Sequence, residues 1–415
     1  MMDSAQRNEA LEYHRKAQGK IQIFPSVNIR NEQQLAMAYI PGSTPACEEI
    51  KNNPACAYDY TGKSNRIAEV SNGSALLGMG NAGPEASLPV LEGKCLLLKL
   101  LGDINAIPIA LSAPNYEDIV AFCEMAAPSF GGINIEDIRS PDAFYIMREL
   151  TGYLSVPAFC DDQQGSAIII LSAVKNSLRL LDISIEEARI VVMGAGSAGI
   201  ASTELLLTAG AKDIVVLNAG GILGPSNPSM DPLQENLGQR TNPRGIKGGL
   251  DEALAGADIL IGLSRNNCVT GDQIKKMNRK PVVLALALPD PEISYADAKE
   301  AGAYIYASGR MEDSNTLLNI HAFPGLVRGA LDVRARQVTE SMLLAAADAL
   351  ANMVDRRHLS PDHICPRFFG SETTPRIAEA VGQAAINDNV ALLPVPEGQI
   401  YENTWNRLFG EIEHI

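Results

Sequence analysis

The chain lacks the residue patterns that mark secreted, membrane or zinc-thiolate proteins. Its seven cysteines (Cys47, Cys56, Cys95, Cys123, Cys160, Cys268, Cys365) are odd in number and scattered, with no CxxC pair. They suggest neither a zinc site nor a disulfide framework, and free thiols suit a reducing cytoplasm, the expected location. No run reaches the roughly 18 apolar residues of a membrane span, so no membrane partner is expected. The opening MMDSAQRNEALEYHRKAQGK has no apolar centre, unlike a secretory signal. Basic residues are scarce: 34 Lys and Arg face 49 Asp and Glu, a net charge of -15. Such a surface repels nucleic acid and anionic membrane. The five histidines (His14, His321, His358, His363, His414) lie outside the acidic and glycine motifs described below, which argues against histidine or zinc chemistry. No GxSxG occurs, so a serine hydrolase of that type is not supported.

What remains is a globular balance of 46% hydrophobic and 20% charged residues. At 415 residues the chain is too long for one ordinary core. The expected fold class is α/β, in three parts. Residues 1–163 mix short apolar runs with Gly/Pro punctuation and read as an N-terminal α/β domain. Residues 164–355 read as a Rossmann-like, doubly wound parallel-sheet domain. It opens on a helix near 164–180, and VRARQVTESMLLAAADALANMV reads as its final helix. Residues 356–415 read as an irregular, Pro-containing tail that packs back on the body or joins an oligomer contact.

The clearest unit is ARIVVMG, GAGSAG, IASTELLLTAGA and KDIVVLN: strand, glycine turn, amphipathic helix and strand. It has the size of one βαβ unit, about 30 residues. Gly194, Gly196 and Gly199 form GxGxxG, with Ala195, Ser197 and Ala198 between them. The first glycine permits the turn, the second admits a pyrophosphate, and the third lets helix and strand approach. The bland alternative is a turn that only packs. The second strand ends in Asn218 rather than an acid. Asn218 can bond a ribose hydroxyl and does not repel a 2′-phosphate, but no Arg or Lys follows in AGGILGPSNP to hold that phosphate, so NAD is slightly favoured over NADP. Ser264, closing ADILIGLS, is a further candidate on the dinucleotide.

Acidic residues pair up in GGINIEDI (Glu136, Asp137) and AFCDDQQGSA (Asp161, Asp162). Four carboxylates near strand ends repel unless a cation or protons neutralise them. An all-oxygen set suits Mg²⁺ or Mn²⁺; helix capping and solvation are the plain alternative. Neighbours on a strand face opposite sides, so both members of a pair bind one ion only where the strand has ended. Lys94, in LEGKCLLLKLLG, stands at the entrance of an apolar run. A lysine drawn into an apolar, cation-bearing site has its pKa lowered and can then act as a base, although snorkelling from a strand end is commoner. Tyr39, in AYIPG, reads either as a proton donor or as half-buried packing.

Together these motifs resemble the short bacterial form of malic enzyme. AYIPG, VSNGSALLGMGNAGPEASLPVLEGK, APSFGGINIEDI, VPAFCDDQQGSA, VVMGAGSAGIA, LPDPEI and AFPGLVRGALDVRA occur in the family's order over residues 10–350. The resemblance implies oxidative decarboxylation of L-malate to pyruvate and CO₂ with NAD or NADP and a divalent cation. It also implies a homodimer or higher homo-oligomer acting on a small 2-hydroxy acid. By motif, Lys94 matches the general base, Tyr39 the general acid and Asp161 the lysine's partner. Glu136, Asp137 and Asp162 match metal ligands, and Asn319 a substrate-binding amide. Departures cluster at the same site. Cys160 and Gln164 stand where the family commonly has the histidines of FHDDQHGTA, and Leu288 stands where a substrate-binding Asn is expected. SNTLLN replaces PNQVNN, with Thr316 and Leu318 for two amides while Asn315 and Asn319 remain. Three readings follow: a working malic enzyme, a relative acting on a substituted 2-hydroxy acid, or a non-catalytic nucleotide-binding relative.

Overall fold

The computed structural model describes residues 4–76, 79–367 and 370–410. Two sheets organise it. The first is all parallel, in the order β2-β1-β3-β4: β1 Arg66–Ser71, β2 Asn105–Ala110, β3 Gly132–Ile135 and β4 Ala158–Phe159. The second runs β10-β9-β8-β5-β6-β7: β5 Arg189–Met193, β6 Asp213–Asn218, β7 Gly221–Ile222, β8 Ile259–Gly262, β9 Val282–Ala285 and β10 Ile305–Ser308. Only β7 runs antiparallel to its neighbour. The strands RIVVM, ILIG and VVLA read as unbroken apolar runs because helices cover both faces of the sheet. β5 lies between β6 and β8, where the strand order reverses; ligands bind doubly wound sheets at that point.

The helix Asp161–Leu181 ties the two sheets together. Its first turn follows β4, and most of its length is buried beside the helix Ser197–Thr208. The 163/164 division falls inside that first turn. Ser197–Thr208 is therefore not amphipathic, as its sequence suggested, because it is covered on more than one side.

The C-terminal part differs from its expected form. The helix expected from Val333 starts at Glu340, capped by Thr339, and is not the last. Residues beyond 358 include two more helices, Thr373–Asn387 and Gln399–Phe409. Ile377, Ala378, Val381 and Ala385 recur at helical spacing and are buried. Close approach needs glycine on the helix Phe323–Asp332: a Cβ at Gly329 would lie 2.5 Å from the carbonyl oxygen of Ala378. The tail thus packs on the body in this chain.

Arg328 is buried at 1% exposure on that same helix. Its guanidinium meets Asp332 at 2.7 Å and also bonds Asn65, which precedes the first sheet. Removing one partner strands the other charge in the interior. Arg328→Ala should therefore cost about 3–5 kcal/mol of stability, read by urea unfolding; a loss below about 1 kcal/mol would mean Asp332 finds water.

Candidate active site

Lys94 lies in the middle of the helix Pro84–Gly102, not at a strand end. Leu91, Cys95 and Leu98 are buried on the face it shares, so helical spacing carries the lysine inward. Its Nζ is 2.9 Å from Glu136 Oε1 and pairs also with Asp161. The Phe323 ring lies 5.8 Å from the ammonium.

β3 ends at Ile135, so Glu136 and Asp137 fall just past the strand. Asp137 takes the left-handed backbone conformation, φ 51°, and this turn brings both neighbours to the same cleft. Asp161 and Asp162 open the long helix, whose N-terminus favours negative charge. Asp162 Oδ2 accepts the Asp137 N–H at 3.0 Å. Gly165 is required nearby: a Cβ there would sit 1.9 Å from Asp161 Oδ1 and 3.1 Å from Asn319 Cβ.

Two residues that sequence reasoning missed lie beneath this group. Glu69 and Asn134 are fully buried. Asn134 Nδ2 donates to Glu69 Oε2 at 2.7 Å and to Glu136 Oε2 at 3.0 Å, while its Oδ1 accepts the Asp161 N–H at 3.2 Å. The signal was a lone acid inside the apolar strand RIAEVS and a lone amide in GINI.

Five carboxyl groups thus surround one ammonium, and they cannot all ionise. Burial, then Glu136, holds Glu69 well above the usual carboxylate range. Burial and the neighbouring acids hold Asp162 well above it too, push Asp137 up to about 7, and push Asp161 up to about 6 despite Lys94. Burial alone would lower Lys94, but Asp161 and Glu136 outweigh it and raise the amine well above its ordinary value. With no cation beside it, the ammonium itself answers the acids.

Among the described residues no three acidic, histidine or cysteine side chains form a ready-made metal cage. The donor chemistry nonetheless fits a hard cation. The set is all oxygen, burial and mutual repulsion raise the pKa of Asp137 and Asp162, and the buried Asp137 Oδ2 has no hydrogen-bond partner among the described residues.

The glycine loop follows β5. Gly194 has φ +117°, and a Cβ on it would lie 2.2 Å from the Leu263 carbonyl oxygen. A Cβ on Gly199 would lie 1.8 Å from the Gly194 oxygen. Gly196 alone faces open space, at the N-terminus of Ser197–Thr208. Two glycines serve close packing and one leaves room for a phosphate. Asn218, expected on the ribose, is instead fully occupied: it donates to Ser229 O and Gln234 Oε1 and accepts from Gly220 N and Asn227 Nδ2. Gln234 Nε2 also donates to the Ala195 oxygen at 2.9 Å and so braces the loop. Glu292, buried in LPDPEI, accepts the N–H of Ser264 at 2.8 Å and of Ala287 at 3.0 Å. It fixes the loops after β8 and β9.

A cleft of about 690 Å³ joins these parts. Lys94, Glu136, Asp137, Asp162, Ala198, Leu288 and Asn319 line it, together with His14 and Lys20, which carried no sequence signal. Asp161 is buried behind Lys94. Tyr39 is not brought to the cleft: it is 66% exposed at the end of the helix Glu32–Ala38.

A dinucleotide loop opening on an acid-bound lysine defines an oxidoreductase-type centre. The comparisons give the family. The malic enzyme N-terminal domain model matches residues 18–151, and the malic enzyme NAD binding domain model matches residues 163–386. The bifunctional malic/malolactic enzyme of Bacillus subtilis (strain 168) is 39% identical over 399 residues, covering 96% of this chain and 97% of that protein. The NAD-dependent malic enzyme of Geobacillus stearothermophilus is 39% identical, covering 90% of this chain and 78% of that one. The crystal structure of malic enzyme from Pyrococcus horikoshii Ot3 superimposes with a TM-score of 0.92 at 39% identity, covering 97% and 95% of the two chains. The chain belongs to the malic enzyme family.

The buried Glu69 carboxyl gives a pH test. Its raised pKa means the fold keeps a proton that the unfolded chain loses, so this stability is present at acid pH and lost as pH rises. Glu69→Gln cannot ionise. In metal-free buffer the wild-type Tm should fall more steeply than that of E69Q as pH rises above the ordinary glutamate value of 4.5. Parallel profiles would mean that Glu69 holds no extra proton.

Proposed function

We propose that the chain catalyses oxidative decarboxylation of L-malate to pyruvate and CO₂, with NAD or NADP and with Mg²⁺ or Mn²⁺. The observation that carries this reading is the single cleft in which Lys94 and its acids meet Ala198 of the glycine loop. Family membership supports it, since relatives named as NAD-dependent and as NADP-dependent malic enzymes both match. The choice between the two coenzymes stays open, because Asn218 is committed to its own loop.

Glu136, Asp137 and Asp162 are the residues proposed to hold the cation. When bound, the cation would polarise the C2 oxygen, and the nicotinamide would accept the C2 hydride. Lys94 is the proposed base. Were Glu136 to hold the cation, Lys94 would keep only Asp161 of its two acids, and burial would lower the amine toward its neutral form. Neutral Lys94 takes the hydroxyl proton, and Asp161 holds the amine in place. Asn319 donates to a substrate carboxylate. The leucines of the cleft exclude water, which strengthens every polar contact inside.

Tyr39 is the proposed acid that protonates C3 after CO₂ leaves, and here a second copy of the chain enters. The helices Ser4–Ala17, Glu32–Ala38 and Ser43–Asn52 bury no residue. Ile23, Phe24, Met37 and Ile40, on the same N-terminal segment as Tyr39, are more than two-thirds exposed. An apolar arm of this kind needs a partner surface. We propose a homodimer in which each cleft takes Lys94 from one chain and Tyr39 from the other.

Lys94→Ala should lower turnover by about 10²–10⁴-fold while dinucleotide affinity, followed by fluorescence, stays nearly unchanged. Retention of most of the rate would remove the assigned base. Mixing Lys94→Ala with Tyr39→Phe chains should restore about one quarter of wild-type activity, because half the dimers are hybrid and half of their sites whole. No recovery on mixing would place both residues in one chain or dismiss Tyr39.

A further inference from the structure

The wall of the cleft beyond the acids is apolar, and two of its leucines converge. Leu288 follows β9 and Leu318 follows β10. Between them lies Gly309. A Cβ at Gly309 would lie 3.0 Å from Leu288 Cδ2 and 3.8 Å from Leu318 Cδ2, so both side chains close over one glycine. Leu263, Leu286 and Leu317 extend the same wall. Leu288 remains 51% exposed although it sits inside a cleft, so its apolar surface awaits cover.

A substrate carboxylate is poor cover for this wall. Leucine has no donor, so a carboxylate facing it would lose water's hydrogen bonds without replacement. The side-chain donors of the cleft are on His14, Lys20, Lys94, Ser166 and Asn319. On the proposed function the acids would hold the hydroxy-acid end of a substrate and these donors its second carboxylate. The remaining position on C3 is left for the leucines.

We propose that the cleft prefers a malate bearing a small alkyl group at C3, with that group seated on Leu288 and Leu318. The inference rests on the reading that this cleft oxidises and decarboxylates the malate skeleton. For 3-methylmalate the step balances as follows. The C2 hydride reduces NAD(P)⁺, the hydroxyl proton goes to Lys94, the C3–C4 bond breaks to release CO₂, and C3 gains a proton to give 2-oxobutanoate. Each methylene seated in an apolar pocket is worth about 10-fold or more in kcat/KM.

The test compares L-malate, 3-methylmalate and 3-isopropylmalate with Mn²⁺ and NAD or NADP, followed by reduced-dinucleotide absorbance. The alkylated substrates should exceed malate by about 10-fold or more in kcat/KM. Leu288→Asn and Leu318→Asn should shift the ratio back toward malate by a similar factor. A change in stability alone cannot move that ratio. Wild-type turnover of malate equal to or better than the alkylated substrates would overturn the inference and leave the malate reading standing. Variants that raise the dinucleotide KM while leaving the ratio unchanged would also overturn it, since the leucines would then seat the nicotinamide. No reduction with any of the three substrates would overturn the inference and the malate reading together.

Discussion

Five carboxyl groups buried around one ammonium are the constraint on which the rest of this protein depends. Glu69 comes from the middle of β1, Glu136 and Asp137 from the end of β3, and Asp161 and Asp162 from a helix start, and among the described residues Lys94 is the cation that answers them. Such a cluster is costly in the metal-free fold. It persists because Asn134 bonds two of the acids and a backbone amide, and because the sheet and the long helix leave the acids nowhere else to go. On the proposed function, a divalent cation held by Glu136, Asp137 and Asp162 would relieve the acids and free the lysine to act as a base.

The fold serves this centre by rigidity. The parallel strand ends of the first sheet and the switch point of the second open on one cleft, and the helix Asp161–Leu181 joins them. Buried polar side chains hold the loops that line it: Glu292 fixes the loops after β8 and β9, and Gln234 braces the glycine turn. The N-terminal segment carries His14 and Lys20 to the cleft but leaves Tyr39, Ile23, Phe24, Met37 and Ile40 exposed, and the proposed second copy would cover them.

Much of this was legible in the residues. The βαβ unit at Gly194, the strands of the second sheet and the paired acids stood out because each combines local pattern with chemistry. Lys94 stands out as a lysine in an apolar run, but such a lysine reads the same on a strand end as on a helix, and only the fold shows how many acids face it. Asn218 was assigned to the ribose by its position after the second strand; the structure spends its amide on ordering a loop. Glu69 and Asn134 went unseen because one polar residue in a strand carries no pattern. The helices after residue 370 had helical spacing, but the prolines around them masked it. The convergence of Leu288 and Leu318 over Gly309 was beyond reach, since they are about 30 residues apart and meet only when β9 and β10 pair.

The most direct measurement of the central claim is a Mn²⁺ titration of the chelated protein with L-malate and NAD or NADP, scored for reduced dinucleotide and CO₂ in the same vessel. The account predicts no turnover before cation is added, then equal amounts of the two products as one site per chain fills. Turnover that ignores the cation, or dinucleotide reduction without CO₂, would contradict it.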